Sequence, residues 1–428
     1  MLLAGGFLLL IGLGTLLLSL PVVATPRLSM LQAFFMATSA VTITGLAVVD
    51  TANQFTGTGQ AILIGLVQLG GLGFVTFAVL TSLALGRKLS IRQQAVALQA
   101  FNQTNISRIR RTARAVIEIT LVIEGVAALL LALWWWQDMP FLESLKYGVF
   151  HAVAAFNNAG FSLFENSLEA YRGDALVIIA VTSLIILGGI GFSVLGDISH
   201  KKRWANLMPY TRVMILGTII LNVFGFVAVL LLEHANPHTL GSMAWDGKLL
   251  SAWMQSVTAR TAGFTTVDTS QLQDSTTLLM LVLMFIGGGS LSTASGIKLG
   301  TFIILLAAMW SYIRQSREVT LMRRTIEPET IQKTLALVVV TSLLAILGTF
   351  VLTLFETRPF LDLVFEAVSA LSTTGMTRGI TPDLSVPGQL IVALMMFAGR
   401  LGPLTLVYSL ATRRTRRVRY PIAEFPVG

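Results

Sequence analysis

Four short stretches of this chain repeat one arrangement of residues, and the chemistry they offer belongs to the backbone. They read FFMATSAVTITGLAV at 34–48, VFHAVAAFNNAGFSL at 149–163, AWMQSVTARTAGFTT at 252–266 and VFEAVSALSTTGMTR at 364–378. Aligned on Gly45, Gly160, Gly263 and Gly375, each has an aromatic residue ten positions earlier: Phe35, Phe150, Trp253 and Phe365. A large apolar residue follows each glycine: Leu46, Phe161, Phe264 and Met376. Before the glycines stand Thr42-Ile43-Thr44, Asn157-Asn158-Ala159, Arg260-Thr261-Ala262 and Ser372-Thr373-Thr374. Glycine lets a chain turn with φ > 0 and brings carbonyl groups close to an axis. Four such loops around one axis would stack rings of carbonyl oxygens. Such rings replace the hydration shell of a potassium ion, and the C-terminal ends of short helices aimed at them favour a cation. All four loops, from Thr42, Asn157, Arg260 and Ser372 to their glycines, are therefore expected to bind potassium. Asn157 and Asn158 are expected to be polar because they face ions and water. Only the glycine is common to the four copies, so sodium or rubidium should compete with potassium. The plain alternative is a simple turn at each glycine, and recurrence in four registers argues against it.

Other chemistries find little support. Cysteine is absent, which removes disulfides, thiolate zinc sites and thiol nucleophiles. His151, His200, His234 and His238 have no metal-ligand spacing, and Pro237 breaks any helix between the last two. An intramembrane enzyme would need paired acids, a Ser/His pair or a metal site. Glu118, Glu124 and Asp197 offer no convincing pair, and Glu118 and Glu124 are expected near a helix end or at a subunit contact. No organic cofactor site is visible. The Gly/Ser run before Lys298 lacks the spacing and the preceding strand of a phosphate loop.

The loops must be positioned by membrane spans. The 428 residues are 54% hydrophobic and 12% charged, against about 25% charged in an average soluble domain. Eight apolar runs can cross a bilayer, which takes about 20 residues: 2–24, 59–85, 112–136, 175–198, 211–233, 275–310, 330–355 and 387–412. Runs 28–41 and 145–156 are too short. The N-terminal run lacks a basic flank and has a place in the repeat, so it reads as a retained span rather than a signal peptide. Each glycine loop has one span before it and one after. The expected fold is an all-α integral membrane protein of four tandem span–pore-helix–span repeats around a pseudo-fourfold pore. Repeat 1 covers 1–87, repeat 2 110–203, repeat 3 210–315 with a broken inner span, and repeat 4 330–414. Residues 415–428 form a cytoplasmic tail.

Net charge is +9, and its placement sets topology. Arg87, Lys88, Arg92, Arg108, Arg110, Arg111 and Arg114 lie between spans two and three. Lys201, Lys202, Arg203 and Arg212 lie between spans four and five, and Arg314, Arg317, Arg323, Arg324 and Lys333 between spans six and seven. Arg413, Arg414, Arg416, Arg417 and Arg419 follow span eight. All these connections share one side, which the positive-inside rule makes cytoplasmic, with both termini. Basic residues flanking every second span are explained by topology and not by nucleic acid.

A second aligned feature follows each loop at 24 to 28 residues: Gly70-Gly71-Leu72-Gly73-Phe74, Gly188-Gly189-Ile190-Gly191-Phe192, Gly287-Gly288-Gly289-Ser290 and Gly399-Arg400-Leu401-Gly402-Pro403. Such clusters serve close helix packing or bending. Packing alone is expected in the first two copies. In the third, IGGGSLSTASGIKLG (286–300) puts Gly287, Gly288, Gly289, Ser290, Thr293, Ser295, Gly296 and Lys298 in mid-span. That composition predicts an irregular intramembrane segment able to block or open the pathway. Arg400 sits mid-span without an acid nearby in sequence, and such a charge should face the bundle interior. It is expected below the loops, paired with the third-copy segment; bonding to backbone carbonyls is the compatible structural reading. Arg260 is expected to point away and brace its loop against Glu366.

These residues resemble the Ktr/Trk/HKT superfamily of potassium transporters. TSAVTITGLAVVDT, AAFNNAGFSLF, SVTARTAGFTTVDT, GGGSLSTASGIK and GRLGPLTL are similar to that family's motifs, and the likeness spans essentially the whole chain. It is nearest to the membrane subunit of bacterial Ktr systems, since Trk-type relatives carry additional N-terminal spans. The resemblance implies a homodimer in the bacterial inner membrane, each subunit with its own pore. It also implies sodium-stimulated potassium uptake and a cytosolic ring of RCK subunits responding to ATP or ADP. By position it assigns potassium binding to the four loops, the gate to the third-copy glycine segment, and a companion role to Arg400. The short N-terminal arm departs from the family's pattern. A secondary cation transporter with a midplane site is the competing class, but it would show inverted repeats, whereas these copies read as parallel.

Overall fold

The computed structural model describes residues 2–73, 106–290 and 292–402. The distal parts of spans two and eight, the tail, Arg87, Lys88, Arg92 and the arginines from Arg413 to Arg419 lie outside the described residues, as do the side chains of Arg108, Arg110 and Arg111.

The first copy contains α1 (Leu2–Leu18), α2 (Met30–Val41) and α3 (Gly57–Leu72). The second contains α4 (Ile106–Trp135), α5 (Phe141–Phe156), α6 (Ala175–Ile190) and α7 (Phe192–His200). The third contains α8 (Pro209–Glu233), α9 (Trp245–Thr258), α10 (Asp274–Phe285) and α11 (Leu299–Ile313). The fourth contains α12 (Pro328–Phe355), α13 (Phe360–Ser372) and α14 (Val386–Leu401). A small hairpin pairs Thr320–Leu321 with Arg324–Thr325. Among the described residues, everything else regular is helical.

Local sequence explains where these helices start. Ser29 and Gln32 form a reciprocal capping box at α2, with Gln32 N donating to Ser29 Oγ and Ser29 N to Gln32 Oε1. Thr56, Asp174 and Ser385 cap α3, α6 and α14 with their side chains. Proline opens α8 and α12 at a position that needs no N–H donor.

Segments Arg114–Trp135, Pro209–Glu233 and Pro328–Phe355 are long and apolar enough to cross a membrane alone. They expose Leu129, Leu133, Ile220, Leu231, Ile346 and Phe350, a surface suited to lipid. The expected span 2–24 is helical only to Leu18, ahead of Pro21. The expected span 175–198 is two helices meeting at 97° on Gly191, whose φ is 109°. Packing alone therefore fails for the second glycine cluster, because the chain also bends there. The span expected over 275–310 breaks between Phe285 and Leu299, as its glycines predict.

Contacts between helices close into a circle. Each short helix packs on the outer helix before it: α2 on α1, α5 on α4, α9 on α8 and α13 on α12. Each inner helix packs on the short helix of the next copy: α3 on α5, α6 on α9, α10 on α13, and α14 back on α2. The aromatic residues aligned in sequence anchor the short helices. Phe35, Phe150 and Phe365 are buried, and Trp253 Nε1 donates to Thr182 Oγ1 at 3.1 Å.

Candidate functional site: a ring of glycine loops and the segment beside it

The four loops have the same backbone. The residue two before each glycine has positive φ: Ile43 at 52°, Asn158 at 58°, Thr261 at 72° and Thr373 at 49°. The glycines follow at 91°, 68°, 85° and 82°. Left-handed backbone is costly for residues with a Cβ, so four such outliers in register mark a selected conformation. Reversal of φ along a strand turns successive carbonyls toward one side instead of to both. Leu46, Phe161, Phe264 and Met376, just after the glycines, are all buried and fix the loops from behind.

The loops also touch in cyclic order. A Cβ placed on Gly45 would strike the Ala159 carbonyl oxygen, and one on Gly160 would meet Ala262 O at 2.8 Å. One on Gly263 would meet Thr374 O at 2.7 Å, and one on Gly375 would strike Thr44 O. The ring is closed, and each glycine leaves room for its neighbour's carbonyl.

The third residue before each glycine anchors its loop by a side chain turned away from this contact, in two different ways. In the first copy Thr42 Oγ1 donates to Thr38 O at 2.7 Å and lies 2.7 Å from Thr44 Oγ1. In the fourth, Ser372 Oγ donates to Val368 O at 2.6 Å and lies 2.8 Å from Thr374 Oγ1. Both loops are clasped by their own hydroxyls. The second and third copies have Ala159 and Ala262 where that clasp needs threonine. Their anchors reach outward instead. Asn157 Nδ2 lies 2.9 Å from Glu124 Oε1, 2.8 Å from Gln68 Oε1 and 2.9 Å from Val153 O. Arg260 donates to Asn222 Oδ1 at 3.2 Å and to Gly287 O at 3.4 Å.

Three expectations change here. Asn157 faces Glu124 and Gln68 and not a water-filled axis. Arg260 does point away, but its partners are Asn222 and Gly287; Glu366 accepts instead from Thr377 Oγ1 at 2.8 Å and Thr381 Oγ1 at 2.5 Å within its own copy. Glu124 lies well inside α4, buried, and not at a helix end. Sequence reasoning missed Glu124, Gln68 and Asn222 as parts of the site. One signal was available, the coincidence of a long polar anchor with alanine just before the glycine.

The glycine clusters form the next layer. A Cβ on Gly70, Gly188 or Gly399 would strike the carbonyl of Val41, Phe156 or Leu371, each four residues before a loop glycine. Close packing is thus realised in copies one, two and four. The same three inner helices each end three residues later at a glycine with positive φ: Gly73, Gly191 and Gly402.

The third copy departs from this pattern. Gly287 N donates to Ile297 O at 2.9 Å and Leu299 N to Gly288 O at 2.9 Å, closing the base of an irregular segment. That segment lies against the second copy. Gly289 N donates to Gly189 O at 2.7 Å, and Thr293 Oγ1 to Phe156 O at 3.1 Å. Ser290 N donates to Tyr210 Oη at 3.2 Å. Within it, Lys298 Nζ donates to Ala294 O at 2.5 Å, and Gly296 has φ of 68°. Arg400, in the last turn of α14, spans from this segment to the first copy. It donates to Thr293 O at 2.7 Å, Ser295 Oγ at 3.4 Å and Gly70 O at 2.5 Å. Unpaired carbonyls are costly in a bilayer, and those freed by the break are here met by Arg400, Arg260 and Lys298.

Comparison with known proteins places this geometry. Residues 6–414 match the TrkH family, described as cation transport protein. The chain is 43% identical to the Ktr system potassium uptake protein B of Bacillus subtilis, with 100% of this chain and 96% of that protein covered. It is 40% identical to the protein of the same name from Vibrio alginolyticus, with 95% and 90% covered. Identity is 34% to the potassium/sodium uptake protein NtpJ of Enterococcus hirae, with 100% and 96% covered. The fold matches the crystal structure of the potassium transporter TrkH from Vibrio parahaemolyticus with a TM-score of 0.74 at 20% identity, over 95% of this chain and 85% of that one. The chain is a multi-pass membrane protein belonging to the TrkH family of cation transporters, and so a transporter rather than an enzyme.

Proposed function

We propose that this chain mediates potassium uptake through the ring of four loops, with Thr42–Gly45, Asn157–Gly160, Arg260–Gly263 and Ser372–Gly375 as the ion-binding filter. The observation that carries this reading is the cyclic contact of the four glycines with the carbonyl before the next glycine. It is the arrangement that rings of carbonyl oxygens require. The names of two relatives, potassium uptake proteins at 43% and 40% identity, support potassium as cargo. The potassium/sodium name of a third supports sodium as a competing or co-transported ion.

In this reading the segment 287–298 is the gate, with Gly287, Gly288, Gly289, Ser290, Thr293, Ser295, Gly296 and Lys298, and Arg400 is its latch. The chain works as a homodimer in the bacterial inner membrane, both termini cytoplasmic, each subunit with its own pore. The basic connections between repeats face a cytosolic RCK ring that binds ATP or ADP, and sodium stimulates uptake.

The test is rubidium-86 uptake into potassium-loaded proteoliposomes holding the purified chain alone, with potassium, sodium or lithium competing outside. Block by potassium at concentrations where lithium is ineffective supports the reading. Silence both in the wild type and after removal of 287–296 overturns it.

A further inference from the structure

Glu124 is a buried acid that the transport reading leaves unused. It is 5% exposed and lies well within α4, a helix whose other faces meet lipid. A carboxyl group at such depth is expensive and needs a reason. No Lys, Arg or His pairs with it among the described residues. Its partners are two amides from two different copies. Asn157 Nδ2 donates to Oε1 at 2.9 Å, and Gln68 Nε2 donates to Oε2 at 3.1 Å.

Asn157 is the anchor of the second loop, and this loop lacks the internal clasp found in the first and fourth. Ala159 supplies no hydroxyl, so nothing inside the loop can hold Asn157 as Thr44 holds Thr42. The Asn157 amide has two hydrogens and three acceptors within 2.9 Å. Val153 O belongs to the same short helix, so only Glu124 and Gln68 tie Asn157 to other helices. The next residue, Asn158, carries one of the four strained φ values, and strain of that kind persists only where the surroundings over-determine it.

We propose that Glu124 is a specificity-determining positioning residue: from outside the ring it holds Asn157, and with it the second filter loop, in the geometry that discriminates between monovalent cations. Gln68 completes the brace and ties it to the inner helix of the first copy. Four clasps, two internal and two external, thus hold one ring. This inference rests on the proposed transport function.

The experiment compares wild type, E124Q and E124A in the rubidium-86 assay and reads one ratio: half-inhibiting sodium over half-inhibiting potassium. Glutamine keeps one oxygen for Asn157 but cannot accept from both amides; alanine keeps none. The ratio is expected to fall by about tenfold in E124A, the scale of one buried amide donor left without its acceptor, and by less in E124Q. A defect that were only structural would lower the amount of active protein and leave the ratio unchanged. Should E124A not assemble, a lowered ratio in E124Q alone supports the inference. An unshifted E124Q ratio in a potassium-selective protein overturns it and leaves the transport reading standing. Wild-type uptake indifferent to competing potassium would sink both.

Discussion

Arg400 and Thr293 stand 107 positions apart in sequence, and the guanidinium of one donates to the carbonyl oxygen of the other at 2.7 Å. The same guanidinium reaches Gly70 O at 2.5 Å. One side chain thus fastens the irregular segment of the third copy to the inner helix of the first, across the site.

Arg400→Ala should therefore free that segment and raise rubidium uptake by about tenfold, on the scale of one charge-assisted bond of about 1.5 kcal/mol. Arg400→Lys should give an intermediate rate, since an ammonium cannot reproduce the fork that spans both carbonyls. Wild-type rates in both variants would reduce Arg400 to a structural role.

Removing residues 289–294 should raise uptake further while leaving the base of the segment intact. Gly287 N to Ile297 O and Leu299 N to Gly288 O both survive this deletion. The control is Thr293→Ala, which loses the hydroxyl's bonds to Phe156 O and to Asn158 Oδ1 but keeps the segment's backbone contacts, and should raise uptake less. Initial rates at saturating rubidium would decide; equal rates in the deletion and the wild type would count against a gate.

Gly160→Ser and Gly263→Ser should each weaken discrimination between potassium and sodium. Both glycines have positive φ, which costs a residue with a Cβ about 1–2 kcal/mol. Each new Cβ would also press on the carbonyl of the neighbouring loop. The expected outcome is stronger block of rubidium uptake by sodium, at unchanged expression. Unaltered sodium competition would place the filter elsewhere.

Asp362→Ala should destabilise the chain by about 3 kcal/mol. Arg378 Nε donates to Asp362 Oδ1 at 2.6 Å, with the two side chains 12% and 17% exposed. Arg378 also donates to Thr277 Oγ1 at 2.8 Å and to the Ser270 carbonyl at 3.2 Å, joining the third and fourth copies behind the ring. Loss of the acid leaves a guanidinium unpaired among them. Denaturant unfolding of the detergent-solubilised protein measures the change; a shift below 1 kcal/mol would mean water replaces the carboxylate.

The parts of this fold that were legible in sequence are those each copy specifies locally. Gly45, Gly160, Gly263 and Gly375 need positive φ whatever surrounds them, and Phe35 or Phe365 fills the same space behind its own short helix. The break in the third inner span was legible because Gly287 to Gly289 leave no helix to propose. The partners of the anchors were not. Glu124 lies 33 positions from Asn157, and Arg260 meets Asn222 38 positions away; no periodicity links them, and the nearer-looking acid, Glu366, is already claimed by Thr377 and Thr381. The bend at Gly191 was hidden for another reason. Gly188 alone accounts for the close packing, and nothing in the composition says that a glycine three residues later also turns the chain.

The closed ring of unlike loops has a practical consequence. In a pore assembled from identical subunits, one codon change alters every quadrant at once. Here each quadrant has its own address on one polypeptide. Disturbances can be introduced singly, in adjacent pairs or across the ring, and the response of the same chain can be followed as a graded series. Adjacent and opposite pairs carry equal numbers of changes, so any difference between them reports directly on how neighbouring quadrants lean on each other.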